Sequence, residues 1–147
     1  MVRAHRPIRS IIGEEGLVTA TVSMPLADAA RLMKEKHQGS VMIVKDCKLA
    51  GIFTERAALF RVVAEGRDTK ATRLAEVMTR NPRTIHPDKP FPDALQIMRE
   101  GGFRHVPVVE GGRPLGMISA RDALGPELED FIYELLRQEQ AQDVLSG

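Results

Sequence analysis

The sequence predicts an α/β fold: two pseudo-symmetric repeats packed sheet to sheet, each a short helix, strand, helix, hairpin and helix, plus a C-terminal amphipathic helix. Three observations predict it. A gapless offset of 65 residues carries the chain from Thr19/Thr84 to Ala57/Asp122. Within that window Thr19, Pro25, Asp28, Ala29, Met33, Glu35, Val41, Val44, Gly51 and Arg56 are identical to their partners. Both copies end on an apolar strand running into a helix start, in Gly51-Ile52-Phe53-Thr54-Glu55-Arg56-Ala57 and in Gly116-Met117-Ile118-Ser119-Ala120-Arg121-Asp122. Cap, apolar face, hairpin and junction keep register, so this is an internal duplication. Each copy alone would leave an apolar sheet face bare, so the halves should pack together with related clefts between them.

Residues 1–9, with Arg3, His5, Arg6 and Arg9 around Pro7, read as a loose basic arm. Ser10-Ile11-Ile12 reads as a short helical turn, and Gly13 and Gly16 bracket a loop. Leu17-Val18-Thr19-Ala20 is a strand. Ser23 is placed as an N-cap with Pro25 in the first turn. Leu26, Ala29, Ala30 and Met33 then recur at helical spacing, through about Lys36. Val41-Met42-Ile43-Val44 and Leu49-Ala50-Gly51-Ile52-Phe53 are strands, joined by the short turn Lys45-Asp46-Cys47-Lys48. Thr54 caps a helix through Leu59, Phe60 and Val63. The first repeat is therefore residues 10–65, and 66–73 form a polar linker.

The second repeat, residues 74–125, restates the order. Leu74 to Met78 is a short helix and Thr84-Ile85 starts a strand. Asp88 takes the cap position of Ser23, and Phe91, Ala94, Leu95 and Met98 form the apolar helix face. Val106-Pro107-Val108-Val109 and Leu115-Gly116-Met117-Ile118 make the hairpin about Gly111-Gly112. Gly125-Pro126 stops the junction helix. Residues 126–147 form the final helix and tail, with Leu128, Phe131, Ile132, Leu135 and Leu136 on one face. That face either packs back on its own domain or makes a dimer contact.

Composition narrows the function. Lys plus Arg is 21 and Asp plus Glu 20 in 147 residues, which argues against nucleic acid or an anionic membrane as partner. The single Cys47 fits a reducing compartment, and no apolar run reaches the length of a membrane span, so the expectation is a cytoplasmic protein. His5, His37, His86 and His105 show no metal-ligand spacing, and no Walker A loop, dinucleotide GxGxxG, HExxH or serine-elbow pattern occurs; the expectation is no metal, no cofactor and no enzyme activity. The junctions remain. A strand feeding a helix start offers free N–H groups and a positive dipole end, which suits a phosphate. Ser119-x-x-Asp122 is equally a capping box.

The duplicated unit, with glycine-apolar-apolar-Ser/Thr-x-x-Asp at its last junction, resembles the cystathionine β-synthase (CBS) domain pair. The resemblance covers roughly residues 10 to 125. It rests on Thr84-Ile85, Gly102-Phe103-Arg104-His105-Val106-Pro107 and Gly116 to Asp122. It implies a ligand-sensing module with two pseudo-symmetric clefts for adenosine-containing molecules, often paired into disc-shaped dimers. By that resemblance Asp122 would bind the ribose hydroxyls and Ser119 the phosphate. Arg104, His105 and Arg121 would supply positive charge. The backbone around Thr19-Ala20 and Gly39-Ser40 would hold the adenine edge, and Val41, Met42 and Met117 would wall it, with Pro107 alongside. The mirror cleft would use Thr54, Arg56, Thr84, Ile85 and Arg104, but Ala57 removes its acid, so one competent and one weak cleft are expected. AMP is the first-choice ligand, then ATP, ADP or S-adenosylmethionine. The chain would act as a stand-alone sensor and homodimer regulating a further protein. The alternative is a dimerisation or docking module with vestigial clefts.

Overall fold

The computed structural model describes residues 6–12 and 17–146, with side chains as far as Gln138. The first five residues of the basic arm and the Gly13–Gly16 loop lie outside the described residues.

In the first repeat, β1 (Thr19–Thr21) leads to α1 (Leu26–Lys36), then to the hairpin β2 (Ser40–Lys45) and β3 (Lys48–Thr54). The chain then enters α2 (Glu55–Ala57), which runs on as a π-helical stretch, Ala58–Val63. In the second repeat, α3 (Leu74–Val77) and β4 (Thr79–Arg80) precede α4 (Phe91–Gly101) and the hairpin β5 (His105–Glu110) and β6 (Arg113–Ser119). A single 3-10 turn, Ala120–Asp122, separates β6 from α5 (Gly125–Ser146).

The duplication extends to strand register. Ser40↔Thr54, Val41↔Phe53, Met42↔Ile52 and Ile43↔Gly51 in one hairpin become His105↔Ser119, Val106↔Ile118, Pro107↔Met117 and Val108↔Gly116 in the other. Even the register shift recurs, at Ile43/Val44 and at Val108/Val109. β1 pairs in parallel with β2, giving the first sheet the order β1-β2-β3-β4. In the second repeat the expected strand at Thr84-Ile85 shrinks to one parallel bridge, Ile85↔Val108, held by Ile85 N–H to Pro107 O and Val109 N–H to Ile85 O at 3.0 Å. Pro82 and Pro87 flank it and cannot donate to a longer ladder.

Each repeat has its own apolar cluster, around Leu26, Ala29, Ile43 and Phe53 in the first and Phe91, Ala94, Met98, Val108 and Ile118 in the second. The two sheets meet where β6 faces β3 and β2. The lead-in segments are placed by the same symmetry. Leu74, the first residue of the second repeat, is fully buried in the first core; Ile8, ahead of the first repeat, is fully buried in the second. The backbone bonds match. Leu74 N–H to Met24 O and Leu26 N–H to Thr72 O are repeated as Ile8 N–H to Lys89 O and Phe91 N–H to Arg6 O. The strand glycines admit these crossings: a Cβ on Gly51 would stand 2.7 Å from Thr79 O, and one on Gly116 2.9 Å from Ile12 Cγ2.

Several expectations are corrected. Residues 6–9 are not a loose arm, because burying Ile8 anchors them; the helical turn is Ile8–Ser10, not Ser10–Ile12. Ser23 and Asp88 do not cap. Pro25 and Pro90 take the N-cap positions with extended backbone, Ser23 lies in the preceding turn and Asp88 bonds Arg9. The second junction helix is one 3-10 turn that ends in extended Ala123, and Gly125-Pro126 open α5 rather than stop what precedes them. The face of α5 divides: Phe131 is buried in the second core with Leu135 against it, whereas Leu128, Ile132 and Leu136 stay exposed. The helix thus packs back on its own domain and still presents an apolar outer side.

Candidate functional site

The repeats differ at their two junctions. Thr54 caps its helix in the ordinary sense, its Oγ1 accepting from Ala57 N–H at 3.1 Å, and Ala57 is buried in the first core. At the second junction the bond runs the other way. Asp122 Oδ2 accepts from Ser119 N–H at 2.8 Å and from Ser119 Oγ at 3.3 Å. That carboxylate is half-buried at the edge of a cleft of about 460 Å³.

The cleft lies between the repeats. Gly39, Ser40 and Met42 line it from β2 and the turn before it; His105 from β5; Met117 and Ser119 from β6; Arg121 and Asp122 from the 3-10 turn. All of these belong to the expected set. Other expected residues are near without lining it. Ala20, Val41 and Pro107 are buried, and Thr19 is half-buried in β1. Arg104 is exposed, because alternation along the entry to β5 sends it to the face opposite His105. The expected site set did not include Ile11, Ile12, Leu17, Val18, His37, Gln38, Leu115 or Gly116, which also line the cleft. Val18 is one residue from the expected Thr19, and its carbonyl already accepts from Met42 N–H at 3.3 Å. Ile11 and Ile12 were legible only as a hydrophobic turn, since nothing local reveals that the chain crosses Gly116.

The surroundings of His105 work against the positive charge expected of it. Burial holds its imidazole below the ordinary histidine range; Arg121 and Arg104 push the same way, against Glu55 and Asp122. Among the described residues, Arg121 is the arginine that lines the cleft. It also borders a neighbouring groove of about 520 Å³ floored by Met33, Phe53 and Ala58, with Glu55 and Lys34 on its walls.

The mirror residues are used differently. Thr54 is spent on the Ala57 cap, the Arg56 guanidinium rests 5.7 Å over the Phe60 ring, Ile85 is buried and Thr84 is exposed.

The structure also gathers donors whose spacing in sequence gave no hint. His86, Asp88 and Glu110 bring ligand atoms within 4.8 Å of one another. His86 lies 3.2 Å from Glu110 and 3.6 Å from Asp88. Arg9 already joins both carboxylates at 3.0 Å, which holds the Asp88 carboxyl below its usual range. The cluster therefore serves to fasten the N-terminal segment to the second repeat.

Two hairpin repeats stacked across one shared cleft define a duplicated α/β module. The CBS-domain family matches residues 8–64 and 74–126, and the chain belongs to that family. It is 31% identical over 115 residues to a mitochondrial CBS domain-containing protein, CBSX3, of Arabidopsis thaliana, covering 75% of this chain and 56% of the relative. It is 41% identical over 111 residues to CBSCBSPB1 of the same plant, covering 74% of this chain but 20% of the relative. Among solved structures, a hexameric CBS-CP12 protein from bloom-forming cyanobacteria superposes with a TM-score of 0.74 at 25% identity, covering 99% of this chain and 86% of that one. The chain thus spans between a fifth and just over half of these two curated relatives. Paired CBS domains of this kind are generally regulatory, ligand-binding modules. No described helix is long and apolar enough to cross a membrane.

Proposed function

We propose that this chain is a non-catalytic sensor that binds an adenosine-containing ligand, AMP first, in the cleft bounded by Asp122. The observation that carries the reading is convergence. Gly39, Ser40, Met42, His105, Met117, Ser119, Arg121 and Asp122 come from both repeats and line one cleft. Its volume falls in the range of about 300–1,000 Å³ usual for small-molecule sites. Asp122 offers a carboxylate able to accept from both ribose hydroxyls. Met42 and Met117 offer polarisable apolar walls to the base. Ser119 and Arg121 offer a donor and a fixed cation to a phosphate. Ala57 can replace none of the Asp122 contacts, so the mirror cleft is weak.

Self-association is part of this proposal. Leu59 and Val63 on the π-helical stretch and Leu124 and Leu128 at the start of α5 are related by the 65-residue offset, and all are exposed. A second copy presenting the same pair of patches would cover both at once, giving a homodimer. The same patches favour the second reading, a docking module with vestigial clefts. A reducing, cytoplasmic setting accords with the exposed free Cys47.

Thermal unfolding of ligand-free protein with AMP, ADP, ATP, NADH and S-adenosylmethionine, beside Asp122→Ala, separates the readings. A ligand at about a hundred times its Kd should add roughly 2.7 kcal/mol to the wild type alone. No shift with any of them moves the reading to docking.

A further inference from the structure

Arg6 occupies a position that the cleft alone does not explain. It lies on the N-terminal segment, yet its guanidinium NH2 donates to the backbone carbonyl of Asp122 at 2.9 Å and to Glu127 Oε2 at 2.7 Å. The group stacks over Phe91, 4.9 Å from the ring centroid, and Arg6 O accepts from Phe91 N–H at 2.8 Å. Glu127 Oε2 accepts in turn from Leu124 N–H at 3.2 Å, at the entrance to α5. One guanidinium therefore touches the turn that carries Asp122, the first turn of α5 and the second core together. Its charge pair with Glu127 is largely withdrawn from solvent, the two side chains being 30% and 21% exposed, so solvent screens it less than an exposed pair.

Among the described residues the first repeat has no such device. The backbone bond to Leu26 shows that Thr72 is the counterpart of Arg6, and the 65-residue offset puts Ala57 opposite Asp122 and Val62 opposite Glu127. Thr72, Ala57 and Val62 are all buried there. The arginine clamp is thus found at the junction that carries the acid. Ser119 N–H and Oγ tie the Asp122 side chain from one side while Arg6 ties its carbonyl from the other. A ligand that rearranges the Ser119–Asp122 bonds must move or stiffen a peptide that Arg6 holds, and Arg6 holds Glu127.

We propose that Arg6 is the positioning residue of the Asp122 turn and the link that passes occupancy of the cleft to the start of α5. The proposal rests on the nucleotide reading for its signal. The clamp itself stands on the hydrogen bonds of Arg6 and its packing on Phe91. Two variants separate its two ends. Arg6→Ala removes both contacts. Glu127→Ala keeps the Arg6–Asp122 bond and the packing on Phe91 but cuts the path to Leu124.

The test is hydrogen exchange resolved to single amides, with and without AMP, beside AMP affinity by calorimetry. Without ligand, Arg6→Ala and Glu127→Ala should each speed exchange at Leu124 by about tenfold, as expected when a hydrogen-bonded charged group is lost, with Ala57 unchanged. With AMP, the wild type should gain protection at Leu124 and through the first turn of α5. Glu127→Ala should bind AMP with wild-type affinity and show no such gain. Arg6→Ala should bind more weakly and also show none. Should Arg6→Ala fail to fold, Glu127→Ala decides. A variant whose α5 responds to AMP as the wild type does overturns the link, and unchanged ligand-free exchange at Leu124 in Glu127→Ala overturns the clamp. Wild-type protein that ignores AMP while both variants still loosen Leu124 sinks the nucleotide reading and the signal but leaves the clamp.

Discussion

Ser119 and Asp122 form a reversed cap: the acid accepts from the backbone N–H of the residue three before it at 2.8 Å, where Thr54 instead accepts from Ala57 at 3.1 Å. The acid therefore has a structural task before any ligand arrives. Asp122→Ala should lower stability by about 1 kcal/mol, the usual loss when a helix-entry side-chain bond is removed. Asp122→Asn, which keeps an oxygen acceptor, should lower it less. Urea unfolding checks both. A fold that collapses in Asp122→Ala would show that the acid is chiefly architectural.

Ile8 and Leu74 should behave as twins. Each is fully buried in the core of the opposite repeat, Ile8 in the second and Leu74 in the first, placed there by matched backbone bonds to Lys89 and Met24. Ile8→Ala and Leu74→Ala should each cost about 2–5 kcal/mol, the range for a large aliphatic side chain truncated in a core. Ile8→Ala losing under about 1 kcal/mol in urea unfolding would return this segment to the status of an arm.

Those two residues also show what the sequence could and could not display. The repeat, the hairpins, the apolar face of each helix and the acid at Asp122 were readable, because period, turn residues and offset are local or self-referential signals. Ile8 was not, because it sits among arginines and a proline and its apolar partners lie some eighty residues on, at Phe91 and Met98. The cleft was half legible for the same reason. Residues at the junctions came from the motif, whereas Ile12 enters only because β6 carries Gly116 where the segment crosses. The caps were misplaced because Ser23 and Asp88 fit the N-cap preference, while Pro25 and Pro90 hold the extended φ/ψ that the N-cap position takes. Arg104 and His105 both count as cations in the sequence; alternation sends them to opposite faces, and the structure shows that His105 is the one turned inward.

His105 gives the cleft a defined pH response. Because burial depresses its folded-state pKa, the unfolded chain takes up a proton first as pH falls through about 6.5. This residue's contribution is thus level above that value and is lost progressively below it, until the folded state also protonates. Between pH 7.5 and 5.5 the wild type should lose more stability than His105→Gln, measured by urea unfolding at both pH values. An anion bound beside the ring would raise its pKa, so AMP should bind with proton uptake and more tightly as pH falls through the same window. Parallel losses in wild type and variant would remove His105 from the account.

The exposed leucines bear on assembly. Leu59 and Leu124 are each 54% exposed at positions related by the internal symmetry. Leu59→Glu combined with Leu124→Glu should shift a dimer toward monomer in sedimentation velocity, with little change in urea stability, since neither side chain lies in a core. A wild type that sediments as a monomer at micromolar concentration would argue against the homodimer.

Under the proposed function each chain holds one nucleotide cleft, made competent by Asp122. Isothermal titration of ligand-free protein with AMP measures it directly. One site per chain in the wild type, lost in Asp122→Ala while that variant stays folded, is the predicted result. Two sites of equal affinity, or binding that survives Asp122→Ala unchanged, would contradict it.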